Sequence, residues 1–182
     1  MIWLIGGLIG VVVVSIVLIF FYYINRIRIL YNRIEEAWAQ IDVQLKKRYD
    51  LVPNLVETVK GYAEHEKEIF EKVAEARSGM ISGNREERMK SSNQLTRTIK
   101  SLFAVAENYP DLKASENFKL LQEQLEGIEN KIAYARQYYN SSVLDYNNLI
   151  TTIPGAWFAG GREKHQFLSI PEEERSPVKV KF

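Results

Sequence analysis

The apolar positions of this chain fall into two regimes. From Ile2 to Ile24 they run for 23 residues without one charged side chain. From Arg26 to Ile153 they recur at steps of three and four, the spacing of helices with a single apolar stripe. A helix rises about 1.5 Å per residue and a hydrocarbon core is about 30 Å thick, so the first run is long enough to cross a bilayer. Trp3 at one end, and Tyr22 and Tyr23 at the other, suit the two lipid–water interfaces. The run is too long for the apolar part of a cleaved signal, and no Lys or Arg precedes it. It predicts a retained single-pass anchor over residues 1–25.

The periodic region divides into four expected helices. The first carries Ile27, Leu30, Ile34, Ala37, Ile41 and Leu45, with no Pro or Gly between it and the apolar run. The second carries Val52, Val56, Val59, Ala63, Ile69 or Phe70, and Val73, with Asp50 as a cap and Pro53 in its first turn, where a missing N–H costs nothing. Gly79 and Gly83 mark a break. The third holds Met89, Leu95, Ile99, Leu102, Phe103 and Ala106 and closes at Pro110. The fourth starts after Ser115 and keeps its stripe through Phe118, Leu121, Leu125, Ile128, Ile132, Ala135, Tyr139, Tyr146, Leu149 and Ile153, until Pro154-Gly155. Sustained heptads of this kind indicate a coiled-coil-like seam.

Four such helices joined by short turns bury their stripes most simply as an antiparallel up-down-up-down bundle. The expected fold is therefore all-α: an anchor over 1–25, a bundle over 26–153, and an irregular Pro- and Gly-containing tail over 154–182. The fourth helix is longer than the others; it either projects, bends, or is matched by a first helix that runs on further than its breakers suggest. Trp157 and Phe158 in the tail suit either packing on the bundle or resting in the lipid interface. The chain ends in an apolar–basic alternation, Val178-Lys-Val-Lys-Phe182.

Charge adds orientation. Arg26, Arg28 and Arg33 follow the span closely and none precedes it, which predicts an outside N-terminus and a bundle in the bacterial cytoplasm. The net charge of +1 lacks the clustered basic face that nucleic-acid binding needs.

Enzymatic chemistry finds no constellation. The chain has 2 histidines. His65 opens a His65-Glu66-Lys67-Glu68-Ile69 run in which Ile69 stands where a second zinc ligand belongs, and His165 lies in the tail. Glu64, Glu68 and Glu71 with Lys60, Lys67 and Lys72 suit a solvated helix face. There is no cysteine and no phosphate-binding loop. The sequence predicts a non-enzyme without metal or cofactor and without a small-molecule substrate.

The stretch from Tyr31 to Glu66, Tyr-Asn-Arg-Ile-Glu-Glu-Ala-Trp-Ala-Gln-Ile-Asp-Val-Gln-Leu-Lys-Lys-Arg-Tyr-Asp-Leu-Val-Pro-Asn-Leu-Val-Glu-Thr-Val-Lys-Gly-Tyr-Ala-Glu-His-Glu, closely resembles the signature of the bacterial LemA family. Glu75-Ala-Arg77, Glu107 with Tyr109-Pro110, Tyr139-Asn140 and Asp145-Tyr146-Asn147 are similar to its later motifs. The resemblance implies one N-terminal span, a cytoplasmic helical bundle and an association with membrane organisation, through relatives in magnetosome membrane formation. It brings no catalytic residues.

Three features remain for interaction. Arg48, Asp50, Pro53 and Asn54 fall at the expected turn between the first two helices, where they suit either capping or docking of a cytosolic partner. Tyr139 and Tyr146, seven apart, share one helix face and suit a seam or a polar contact. Gly6 and Gly10 have the spacing that lets two spans approach. The membrane contacts expected are Trp3, Tyr22, Tyr23, Trp157 and Phe158. The function these features predict is a membrane-anchored scaffold or adaptor whose partner is another protein or a second copy. Its rival is a regulatory module that senses ligand or membrane stress and acts through a separate effector.

Overall fold

The apolar run and the first amphipathic stripe form one helix. In a computed structural model, which describes residues 2–63, 66–80 and 83–169, α1 runs from Ile2 to Lys60. Glu64, His65 and the Val178–Phe182 alternation lie outside the described residues. Helix α2 spans Lys67–Ser78, α3 Arg85–Ala106, α4 Pro110–Ala114 and α5 Glu116–Thr151; a 3-10 turn follows at Gly155–Phe158. No strand occurs among the described residues, and the fold is all-α.

The expected turn at residues 46–54 is absent. Pro53 lies inside α1, so Asp50 caps nothing there and the helix breaks at Gly61 instead. A proline in a helix interior removes the bond to the carbonyl four residues back, here Tyr49. That carbonyl accepts from Arg77 Nε of α2 at 3.2 Å, and the Arg77 guanidinium lies 3.8 Å from the centre of the Tyr49 ring. The orphaned acceptor is satisfied from a neighbouring helix, which removes the reason to end α1. With α1 running on, α2 shrinks to 12 residues and the length of α5, 36 residues, is matched by the part of α1 beyond the apolar run.

The chain divides into two compact units. One contains residues 39–136 with 168–169. Its core is Ile41, Leu45, Val52, Leu55 and Val59 of α1 against Val73 and Ala76 of α2, Met89, Leu95, Ile99 and Leu102 of α3, and Phe118, Leu125, Ile128 and Ile132 of α5. Tyr49 beside Arg77 and Lys60 beside Phe70 set α2 antiparallel to α1. Asp42 with Arg88, and Arg48 with Ser92, return α3 parallel to α1. Phe103 against Phe118, and Thr96 against Glu129, set α5 antiparallel to α3. This is the up-down-up-down order the heptads predict. Helix α3 opens on a full capping box, the Asn84 side chain accepting from the Glu87 amide while the Glu87 carboxylate accepts from that of Asn84. Pro110 starts α4 rather than merely closing α3.

The other unit contains residues 2–38 and 137–167. Here α1 and α5 alone pair antiparallel: Trp38 meets Tyr139, Arg33 meets Asp145, and Tyr31 meets Tyr146. The buried stripe is Ile27, Leu30, Ile34 and Ala37 against Tyr139, Val143, Tyr146 and Ile150. Leu149 and Ile153 are not part of it; α5 ends at Thr151, and Ile153 beyond the end is 72% exposed. The large apolar side chains from Trp3 to Tyr22 are exposed, as a lipid-facing helix requires.

Candidate functional site: a buried arginine and a clamped tail

Arg48 occupies a core position of α1, on the same stripe as Leu45 and Val52, and is 1% exposed. Burying a guanidinium is costly unless its donors are matched. Nη2 donates to the Ser92 carbonyl at 2.6 Å and to the Ser92 hydroxyl, while Nη1 donates to the Thr96 hydroxyl at 2.9 Å and to the Glu129 carboxylate. Thr96 also donates to that carboxylate, so α1, α3 and α5 are tied at one point. Burial pushes the Arg48 pKa below its ordinary value, Glu129 opposes the shift, and Arg136 adds to it. A 140 Å³ cavity lies beside the pair, walled by Ile99, Phe103 and Leu125.

Asp50 and Asn54 are exposed in mid-helix, Asp50 paired with Lys46 at 2.5 Å. Asp50 lines an open groove of 630 Å³ between α1 and α5, together with Lys47, Leu51, Leu120, Gly127 and Lys131. Leu120 is 53% exposed there, and no atom lies within 4 Å of where a Gly127 Cβ would stand. The four residues expected at a turn are thus separated. Arg48 faces inward, whereas Asp50 lies on the groove.

In the other unit Tyr139 and Tyr146 are both buried. Tyr139 packs edge-on against Trp38, and burial raises the Tyr146 pKa. The residue of the Asp145-Tyr146-Asn147 motif that joins α5 to the tail is Asn147, in the last turns of the helix. Its Nδ2 donates to the His165 carbonyl and its Oδ1 accepts from the His165 amide, both at 2.9 Å. One side chain thereby imitates the paired hydrogen bonds of a strand and clamps the returning tail. The His165 ring sits 5.1 Å from Tyr146 and 5.5 Å from Tyr31. Tyr31, Tyr146 and Asn147 thus supply tail contacts, a role that helical spacing alone does not reveal.

Between Thr151 and His165 the tail turns twice. Gly155 approaches so closely that a Cβ would stand 2.1 Å from the Leu149 carbonyl oxygen. Gly160 and Gly161, at φ 57° and 74°, then reverse the chain in the left-handed region that favours glycine. At the first turn Phe158 stacks on Tyr23 at 5.1 Å and meets Phe20 edge-on at 6.0 Å. Trp157 beside it is 72% exposed. Gly6 and Gly10 of α1 have open space around them. No cluster of three or more His, Asp or Glu with metal-binding geometry occurs among the described residues.

The chain is 24% identical to the magnetosome protein MamQ of Magnetospirillum gryphiswaldense over 157 residues, which cover 71% of this chain and 58% of MamQ. It is 25% identical to protein LemA of Metamycoplasma hominis over 145 residues, covering 77% of this chain and 66% of that protein. The chain thus spans less than two thirds of the length of both relatives. The profile of the LemA family matches residues 37–182, from the first turns of the amphipathic part of α1 onward, and the chain belongs to the LemA family.

Proposed function

We propose that this LemA-family protein is a non-enzymatic scaffold or adaptor, held in the bacterial cytoplasmic membrane by residues 2–24 and presenting its helical bundle to a protein partner or a second copy. The observation that carries this reading is the continuity of α1, in which an exposed apolar run and the buried stripe of a bundle are parts of one helix. A soluble bundle has no use for such a run. Arg26, Arg28 and Arg33 after the span favour a cytoplasmic bundle with the N-terminus outside. The open groove at Asp50, Leu120 and Gly127 is the docking surface this reading selects. MamQ is by name a magnetosome protein, which supports a part in membrane organisation for this relative too.

In-cell cross-linking of the tagged full-length protein, followed by mass spectrometry, tests the role. Reproducible links from the groove to a particular protein or to a second copy support it; links scattered evenly over abundant neighbours sink it. Fusion of a phosphatase active only outside the cytoplasm tests the orientation, and strong activity at the C-terminus reverses it. The regulatory reading draws on the 140 Å³ cavity beside Arg48 and Glu129, whose filling would change a buried charged contact. A small ligand that raises the melting temperature and changes the cross-linking pattern would favour that reading.

A further inference from the structure

Helix α5 returns along α1, and its following turn reaches the level of the apolar run. Phe158 contacts Phe20 and Tyr23, whereas the first charged residue of α1 is Arg26. At about 1.5 Å per residue that places the turn roughly one helical turn on the membrane side of Arg26. A segment held there cannot stay in bulk water if α1 spans the bilayer, because Phe20 to Ile24 form the end of that span. The exposed side chains fit such a place: Ile153 and Trp157 on the turn are each 72% exposed, and on α1 Phe21 and Tyr22 are 57% and 63% exposed. Tryptophan favours the headgroup level, with its ring toward the acyl chains and its N–H toward water. Arg26 and Arg28, exposed and one turn further on, add positive charge suited to lipid phosphates.

We propose that residues 153–158 form a second membrane contact, an interfacial foot in which Ile153 and Trp157 enter the lipid leaflet at the inner end of the span. The partner is the bilayer interface itself. Phe158 docks the foot on α1, and the Asn147–His165 clamp holds the returning chain. The inference rests on the anchor reading but not on the scaffold role. Its consequence is a bundle tied to the membrane by two segments distant in sequence.

The test uses the full chain in phosphatidylcholine vesicles with a minor fraction of phosphatidylglycerol. Trp157 is kept as the sole tryptophan by W3F and W38F, and its emission is followed with brominated lipids or with aqueous iodide. The expected result is a blue-shifted emission that loses intensity to lipids brominated near the carbonyl and is protected from iodide. Trp3 as sole tryptophan is the control. Bromine quenching of Trp3 without quenching of Trp157 overturns the foot and leaves the anchor standing; absence of both overturns the anchor as well. Should W38F fail to fold, the difference in quenching between the intact protein and W157F gives the same reading.

Discussion

Arg77 of α2 donates its Nε hydrogen to the carbonyl of Tyr49, the acceptor that Pro53 leaves without an amide, at 3.2 Å. A residue outside α1 thus takes the acceptor that the proline leaves open inside it. Arg77→Met is expected to cost about 1–3 kcal/mol, because a partly buried acceptor loses its partner. In a Pro53→Ala background the amide of residue 53 takes that role, and the cost of Arg77→Met falls by about 1 kcal/mol. A double-mutant cycle from urea unfolding measures the difference. A coupling of zero would detach the two residues.

Arg48→Glu is expected to destabilise the protein by about 3–5 kcal/mol, since it buries a second carboxylate against Glu129 and strands the Ser92 and Thr96 acceptors. Thermal unfolding of the detergent-solubilised protein shows this as a large fall in melting temperature. An unchanged melting temperature would remove Arg48 from the core and return it to the surface.

Gly127 sits in α5 with open space around it, so Gly127→Ala is expected to stabilise by about 1 kcal/mol through helix propensity alone. Gly127→Leu fills the groove beside Leu120 without a packing clash. If the groove is the docking surface, its cross-links vanish in the leucine variant while the fold survives. Retained cross-links would move the surface elsewhere.

Asn147→Leu removes both clamp bonds to His165, at about 1 kcal/mol each. Hydrogen exchange at the His165 amide is expected to speed up by roughly tenfold or more, as each 1.4 kcal/mol is a factor of ten. An unaltered exchange rate would mean that the ring contacts with Tyr31 and Tyr146 suffice.

Gly10→Ile meets no neighbour within the protomer, so any effect reports on association between spans. If Gly6 and Gly10 mediate pairing, the cross-linked dimer in membranes is lost and the melting temperature stays put. A dimer of undiminished amount excludes that face.

The positions of Ile27, Leu30, Ile34, Ala37, Ile41 and Leu45, and of Phe118, Leu125, Ile128, Ile132 and Tyr139, were legible in the sequence, because a helix that buries one face must repeat its apolar residues at its own period. The Gly79–Gly83 break and the start of α5 after Ser115 were legible for the same kind of local reason. The boundary at Pro53 was not. Proline statistics describe the helix it sits in, and here the compensating donor lies 28 residues away.

The sequence by itself determined an all-α chain with one span-length apolar helix, because hydrophobic continuity and helical period are properties of neighbouring residues. Tertiary structure decided the rest. It took Arg48 from an expected turn into a core, where two other helices supply its acceptors, and gave Asn147 a backbone to clamp 18 residues on. It also set Phe158 against Tyr23. Each depends on chain segments meeting after the helices pack, and no local pattern encodes which polar side chain will find its partner across that distance.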